Sequence, residues 1–173
     1  GIRIGSDGYW VPADAKSKER YELLSTVEVK NAIGNAKCRH ILLMVDACFS
    51  GAIFKTSNLT YNNDGSDDYY ERMEGLLSRQ ALTAGGLEPV PDGVENHSIY
   101  AKYILKFLNT NEKPAIDANE LFELVKYPIE ANTPNTPQFG HIQNTGHEGG
   151  QFIFRQVGDK LCDSPVYFEE GEV

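Results

Sequence analysis

Ile41 to Val45 is an unbroken block of five apolar residues set between His40 and Asp46. A short continuous apolar run between polar residues predicts a strand buried on both faces, as in a parallel sheet. Ser78 to Ala84, closed by Gly85-Gly86, predicts a second buried strand. Tyr9-Trp10-Val11 predicts a short strand stopped by Pro12, and Gln151 to Arg155 a last one. Residues 17–37 read as helical, with Ser25 and Glu28 in capping-box spacing and Gly34-Asn35 as the stop after about Ile33. From Ser98, the spacing of Ile99, Tyr103, Ile104, Phe107 and Leu108 predicts another helix. Asp117 and Glu120 repeat the capping pattern ahead of Leu121, Phe122 and Val125, and Pro128 is expected to close that helix. Between these elements the pattern breaks down. Residues 55–75 are rich in Asn, Asp, Ser and Gly with no apolar period, which predicts a long acidic loop. Residues 87–96 predict a Pro/Gly loop, and residues 132–150 a Pro/Gly/Asn loop that carries His141 and His147. The acidic residues after Asp163 predict a loosely held tail. No internal repeat is present, and the order of elements is that of a layered α/β sheet in one domain.

Charge narrows the classes of partner. The net charge is −9 over 173 residues and no basic patch is present, so neither nucleic acid nor an anionic membrane is expected as a partner. No apolar run approaches the ~18 residues of a membrane span, and no basic-then-apolar leader opens the chain. The three cysteines, Cys38, Cys48 and Cys162, are odd in number and fit no zinc or redox spacing. A reducing, cytoplasmic setting with at least one free thiol is the expectation. The chain starts on Gly1 rather than Met, which predicts a processed piece or fragment.

Candidate chemistry gathers where the Ile41–Val45 run ends. Asp46, Cys48, Ser50 and Gly51 follow it directly, and ligands of open α/β sheets bind at the carboxyl ends of strands. A thiol beside a helix N-terminus has a lowered pKa and becomes a nucleophile. The alternative for Cys48 is a buried, inert thiol, the commoner fate of a cysteine. Cys38 and Cys162 are read as structural.

Asp46-Ala47-Cys48-Phe49-Ser50-Gly51 after a buried strand resembles the Asp-x-Cys-x-Ser-Gly motif of metacaspases and prokaryotic caspase-like cysteine peptidases. Gly8 to Ala15 resembles the stretch after that family's His-Gly motif, and Ser78 through Gly86 the first strand of its small subunit. His97-Ser98 before a helix and Gly146 to Gly150 before a strand also resemble prokaryotic members, so the matches run in order over residues 1–155. The resemblance implies a caspase-like α/β/α sheet, mostly parallel, with its opening strands missing. It divides the chain into the end of a large subunit (1–54), an acidic intersubunit-type loop (55–75) and a small-subunit-like part (76–173).

It implies Cys48 as nucleophile, with an oxyanion hole from the N–H groups of Gly1 and Cys48. The histidine that activates the thiol stands about 50 residues before the cysteine in caspases, which falls just upstream of Gly1. The expected partner is therefore an N-terminal part of the same domain carrying that histidine, and the isolated chain is expected to be inactive. None of the four histidines present is an obvious substitute. His40 starts the Ile41–Val45 strand, about 26 Å from Cys48. His97 precedes a helix, and His141 and His147 occupy a loop. Asp46, two residues before Cys48, is implied to form an acidic pocket for substrate Arg or Lys, the alternative being an acid that fixes the local turn. Ala84, Gly85, Gly86 and Glu88 are implied to line the cleft, Asp92 is a further candidate for its acidity, and Lys55 and Arg72 are candidate self-cleavage points. Some metacaspases require calcium. Asp64, Asp67 and Asp68 offer oxygen ligands but lack the spacing of a calcium loop, so no metal or cofactor is predicted. The expected activity is endopeptidase cleavage after Arg or Lys; the rival expectation is an inactive caspase-like module used for regulation or assembly.

Overall fold

The computed structural model describes residues 1–5, 7–47, 53–54, 63–85 and 97–156. Cys48, Ser50, Gly51, Lys55, Gly86, Glu88, Asp92, Cys162 and the acidic tail lie outside the described residues. In chain order the elements are β1 (Ile2–Ile4), β2 (Asp7–Trp10), β3 (Leu24–Ser25), α1 (Thr26–Asn35), β4 (His40–Val45), α2 (Asp67–Gly75), β5 (Ser78–Thr83), α3 (Ile99–Thr110), β6 (Ala115–Asp117), α4 (Ala118–Asn132), β7 (Gln138–His141) and β8 (Ile153–Arg155). The fold is mixed α/β with small sheets.

The strands that carry the core are β4, β5 and β7. β4 runs parallel to β5, from His40 opposite Ser78 to Val45 opposite Thr83. β7 is antiparallel to β5, with Gln138 opposite Thr83 and His141 opposite Gln80. The two faces of this sheet bury different clusters. Leu42, Leu82 and Ala84 face Tyr100 and Ile104 of α3 and Leu121, Val125 and Ile129 of α4. Ile41, Leu43 and Ala81 face Ile33 and Val29 of α1, together with Ile53 and Ile142. Successive residues of a strand point to opposite faces, so helices on both sides turn an alternating strand into a continuous apolar run.

Burial is uneven across the pair. All six residues of β5 are buried. In β4 only Val45 is, and Met44 is 44% exposed. The central strand of the three is β5, flanked on both edges; β4 pairs on one edge only among the described residues, so although both its faces meet apolar clusters it is less completely buried than expected. The expectation of a mostly parallel sheet is met only at β4–β5. Every other described strand pairing is antiparallel: β1 with β2, β2 with β3, β5 with β7 and β6 with β8. Ile4 opposes Asp7, a tight reversal that takes Gly5 to φ +65°, where a side chain is disfavoured.

The caps explain where the helices start. Ser25 and Glu28 form the full capping box expected, but α1 begins only at Thr26; the preceding stretch holds a single 3-10 turn at Arg20–Glu22 and strand β3. Ser66 caps α2 by accepting from the Tyr69 N–H at 3.1 Å. This helix replaces the second half of the expected 55–75 loop, because Tyr69, Tyr70 and Met73 pack on Ala115 and Ile153. The Asp117 carboxylate caps α4, accepting from the Glu120 N–H at 2.7 Å. It also accepts from the Tyr69 hydroxyl at 2.7 Å and from Asn63 Nδ2 at 2.8 Å, and it is fully buried.

Pro128 does not end α4, which continues to Asn132. An interior proline removes one backbone bond and costs about 3 kcal/mol. Burying Ile129 beyond it returns about 2–3 kcal/mol, and Leu124, four residues before the proline, faces solvent at 40% exposure. Residues 138–141, expected to be loop, form β7 because β5 offers them a second open edge.

Candidate functional site

Parallel pairing puts the carboxyl ends of β4 and β5 side by side. The Val45 carbonyl accepts the Ala84 N–H at 2.9 Å, extending the ladder one step beyond the strands. Asp46 follows and is exposed. α3 starts at the same end of the sheet. Its cap, Ser98, accepts from the Ala101 N–H at 3.0 Å, and the same hydroxyl donates to Asp46 Oδ2. Tyr100, in the first turn of α3, is buried and donates its phenol proton to the Leu82 carbonyl at 2.8 Å. Burial first, and then the charge of Asp46, hold this phenol far above its ordinary range, so it stays neutral.

Asp46 is thus an exposed carboxylate with one oxygen held by a neutral hydroxyl at a helix N-terminus. Among the described residues, no lysine or arginine makes an ion pair with it. That arrangement suits a cationic group brought from outside, for which a carboxylate is the strongest simple acceptor.

Other expected site residues fall differently. Ala84 is 1% exposed and belongs to the core cluster beside Leu82 and Tyr100. Gly85 is also buried, and its carbonyl accepts from Thr83 Oγ1 at 3.0 Å. Both adjoin the Asp46 end of the sheet but are packed beneath it, so neither lines an open pocket wall as expected. Gly1 is exposed and precedes β1, on the antiparallel β1–β2–β3 sheet rather than the sheet that carries Asp46. Arg72 lies in the last turn of α2, its guanidinium 5.9 Å from the Tyr69 ring, so it is helical rather than part of an extended, cleavable loop. Cys38 is exposed, not a packed structural thiol; its backbone carbonyl is the used group, accepting from Arg79 at 2.7 Å.

Three of the four histidines are carried away from Asp46. His40 opens β4, with Nε2 donating to the Glu74 carbonyl at 3.0 Å. His141 pairs with Gln80 near the start of β5. His147 Nδ1 accepts the Arg79 backbone N–H at 3.1 Å, which fixes the ring as neutral at that nitrogen, and it stacks on His141 with centroids 5.2 Å apart. Burial, then the neighbouring His141 and Arg79, lower the His147 pKa to about 4. His147 therefore lies at the end of the sheet opposite Asp46. His97 alone reaches the Asp46 end, one residue before Ser98, and it is exposed.

The segment Gly146 to Gly150 has a structural explanation. The Glu148 and Gly150 N–H groups both donate to the Leu77 carbonyl, at 3.0 and 3.3 Å, while Glu148 Oε2 accepts the Leu77 N–H at 3.0 Å. With His147 on Arg79, this segment clamps the entry to β5. A Cβ on Gly150 would run into the Leu76 carbonyl, so only glycine fits there.

The acids considered for calcium also have local partners. Asp64 Oδ1 accepts from the Ser66 N–H at 3.0 Å and the Ser66 hydroxyl at 2.7 Å, and those bonds lower its pKa. Asp67 and Asp68 occupy the first turn of α2, where negative charge complements the helix dipole. Among the described residues, no group of three or more His, Cys, Asp or Glu side chains is placed to hold a metal ion. No described helix is long and apolar enough to cross a membrane.

The sequence carries no signal for the partner of Asp46. Ser98 is recognisable as a helix start, but nothing local links it to an acid 52 residues earlier. No family model, no curated protein and no solved structure matches this chain.

Proposed function

We infer that this chain is the C-terminal portion of a caspase-like cysteine endopeptidase that cleaves after Arg or Lys, with Cys48 as nucleophile. The observation that carries the reading is Asp46. It is an exposed carboxylate with no cationic partner among the described residues, held at the carboxyl end of a parallel strand pair, two residues before a cysteine. In this mechanism the Cys48 thiolate attacks the scissile carbonyl. A histidine supplied by an N-terminal part of the same domain takes the thiol proton and returns it to the leaving amine. The Cys48 N–H would hold the oxyanion. Asp46 binds the cationic side chain before the cleaved bond. The outer edge of β4, unpaired among the described residues and with Met44 exposed, supports an additional strand from that N-terminal part.

The test uses the complete domain. Cys48→Ala abolishes cleavage of an Arg-ended peptide while leaving the far-UV circular dichroism unchanged; retained cleavage refutes the assignment. A second reading, an inactive caspase-like module for regulation or assembly, is favoured by the placement of His40, His141 and His147 away from Asp46. The residue preceding Gly1 in the intact protein separates the two: a histidine supports the enzyme, any other residue the module.

A further inference from the structure

We propose that Ser98 is the positioning residue for the Asp46 pocket, giving the site its preference for a cationic side chain. This rests on the reading of Asp46 as the pocket acid. The Ser98 oxygen accepts the Ala101 N–H, which leaves its own proton directed at Asp46 Oδ2. The backbone bond polarises the hydroxyl and makes it a better donor to the carboxylate. One hydroxyl therefore locks both the first turn of α3 and the orientation of the acid.

The chemistry of this partner matters. A lysine or arginine in the place of Ser98 would fix Asp46 equally well but cancel its charge. A serine fixes the carboxylate and leaves it negative and exposed. An acceptor held in place before the ligand arrives loses less freedom on binding, so the gain falls on ligands that carry a matching donor. Tyr100 supports the same geometry from beneath: its ring is buried and its hydroxyl is committed to Leu82, so the phenol does not compete for Asp46.

The experiment measures kcat/KM of the complete domain on two peptides that differ only at the cleavage position, one ending in Arg and one in its neutral isostere citrulline. Ser98→Gly is the principal variant, because glycine at a helix cap costs only a few tenths of a kcal/mol and leaves the fold intact. The Arg-over-citrulline ratio is expected to fall roughly tenfold, through KM for the Arg peptide, the scale of a lost bond to a charged group. Ser98→Thr keeps the hydroxyl and is expected to restore the ratio. A purely structural role for Ser98 would lower both peptides alike and leave the ratio unchanged, which would overturn the proposal while the peptidase reading stood. A wild-type domain that cleaves neither peptide overturns both.

Discussion

Acidification should weaken this fold through His147, and the size of the effect follows from its position. The ring accepts the Arg79 N–H at Nδ1, so it is held neutral, and its pKa drops from 6.5 to about 4. In the unfolded chain the imidazole regains its ordinary value. Between about pH 6.5 and pH 4 the unfolded state therefore binds more protons, and stability falls as pH falls through that window; above it His147 contributes no slope. Taken at face value, the shift costs about 2 kcal/mol between pH 7 and pH 5, and screening of this half-buried ring reduces that to about 1 kcal/mol. The comparison is with His147→Asn, whose Oδ1 takes the place of Nδ1 toward the Arg79 N–H but does not titrate. Urea unfolding at pH 7 and pH 5, followed by circular dichroism, gives four free energies. Carboxylates titrate alike in both proteins, so the difference of differences reports His147 together with its coupling to the stacked His141. The wild type should lose about 1 kcal/mol more than the variant over this range. Equal losses, or a smaller loss in the wild type, would refute the argument that burial and the Arg79 bond hold this histidine neutral.

Two further substitutions test packing elsewhere in the fold. Asp117→Ala removes the α4 cap and leaves the buried Tyr69 hydroxyl without that acceptor, and should cost about 3 kcal/mol in urea unfolding, with Asp117→Asn intermediate because it retains the cap acceptor. Gly150→Ala forces a methyl group against backbone at the end of α2 and should lower stability by about 2 kcal/mol or more, whereas Gly75→Ala, which meets open space, should not.

Several elements are legible in the sequence because their chemistry is local. The Ser25/Glu28 box and the Ser98 cap depend on neighbours within a few residues and occur where the pattern puts them, and the run from Ser78 marks β5 to within one residue of its end. What is not legible depends on partners far along the chain. α2 carries a polar surface, and its apolar contacts come from Ala115 and Ile153, so no internal period announces it. β7 holds Gln138, Gly140 and His141 and is a strand only because β5 offers it a second edge. Pro128 reads as a stop until the burial of Ile129 is counted. The same limit applies to the candidate site. The acid is visible from its place after an apolar run, while the hydroxyl that orients it comes from a helix 52 residues later. Their order along the chain puts Ala84 and Gly85 beside a cleft, but order cannot distinguish a wall from the packed layer beneath it.

The position of β5 between a parallel and an antiparallel neighbour also governs how this chain acquires its fold. Neither edge is satisfied by a hairpin: Val45 must find Thr83, and His141 must come back to Gln80. Closing such long loops before any contact rewards them is slow, so this sheet should assemble late and in a concerted step. During synthesis β5 leaves the ribosome with one prospective partner made and the other still to come. Until residues as late as His141 are available, a strand destined for complete burial has an open edge, the state in which strands join other chains instead of their own. Truncations between Thr83 and Gln138 should therefore give aggregates rather than smaller folded domains.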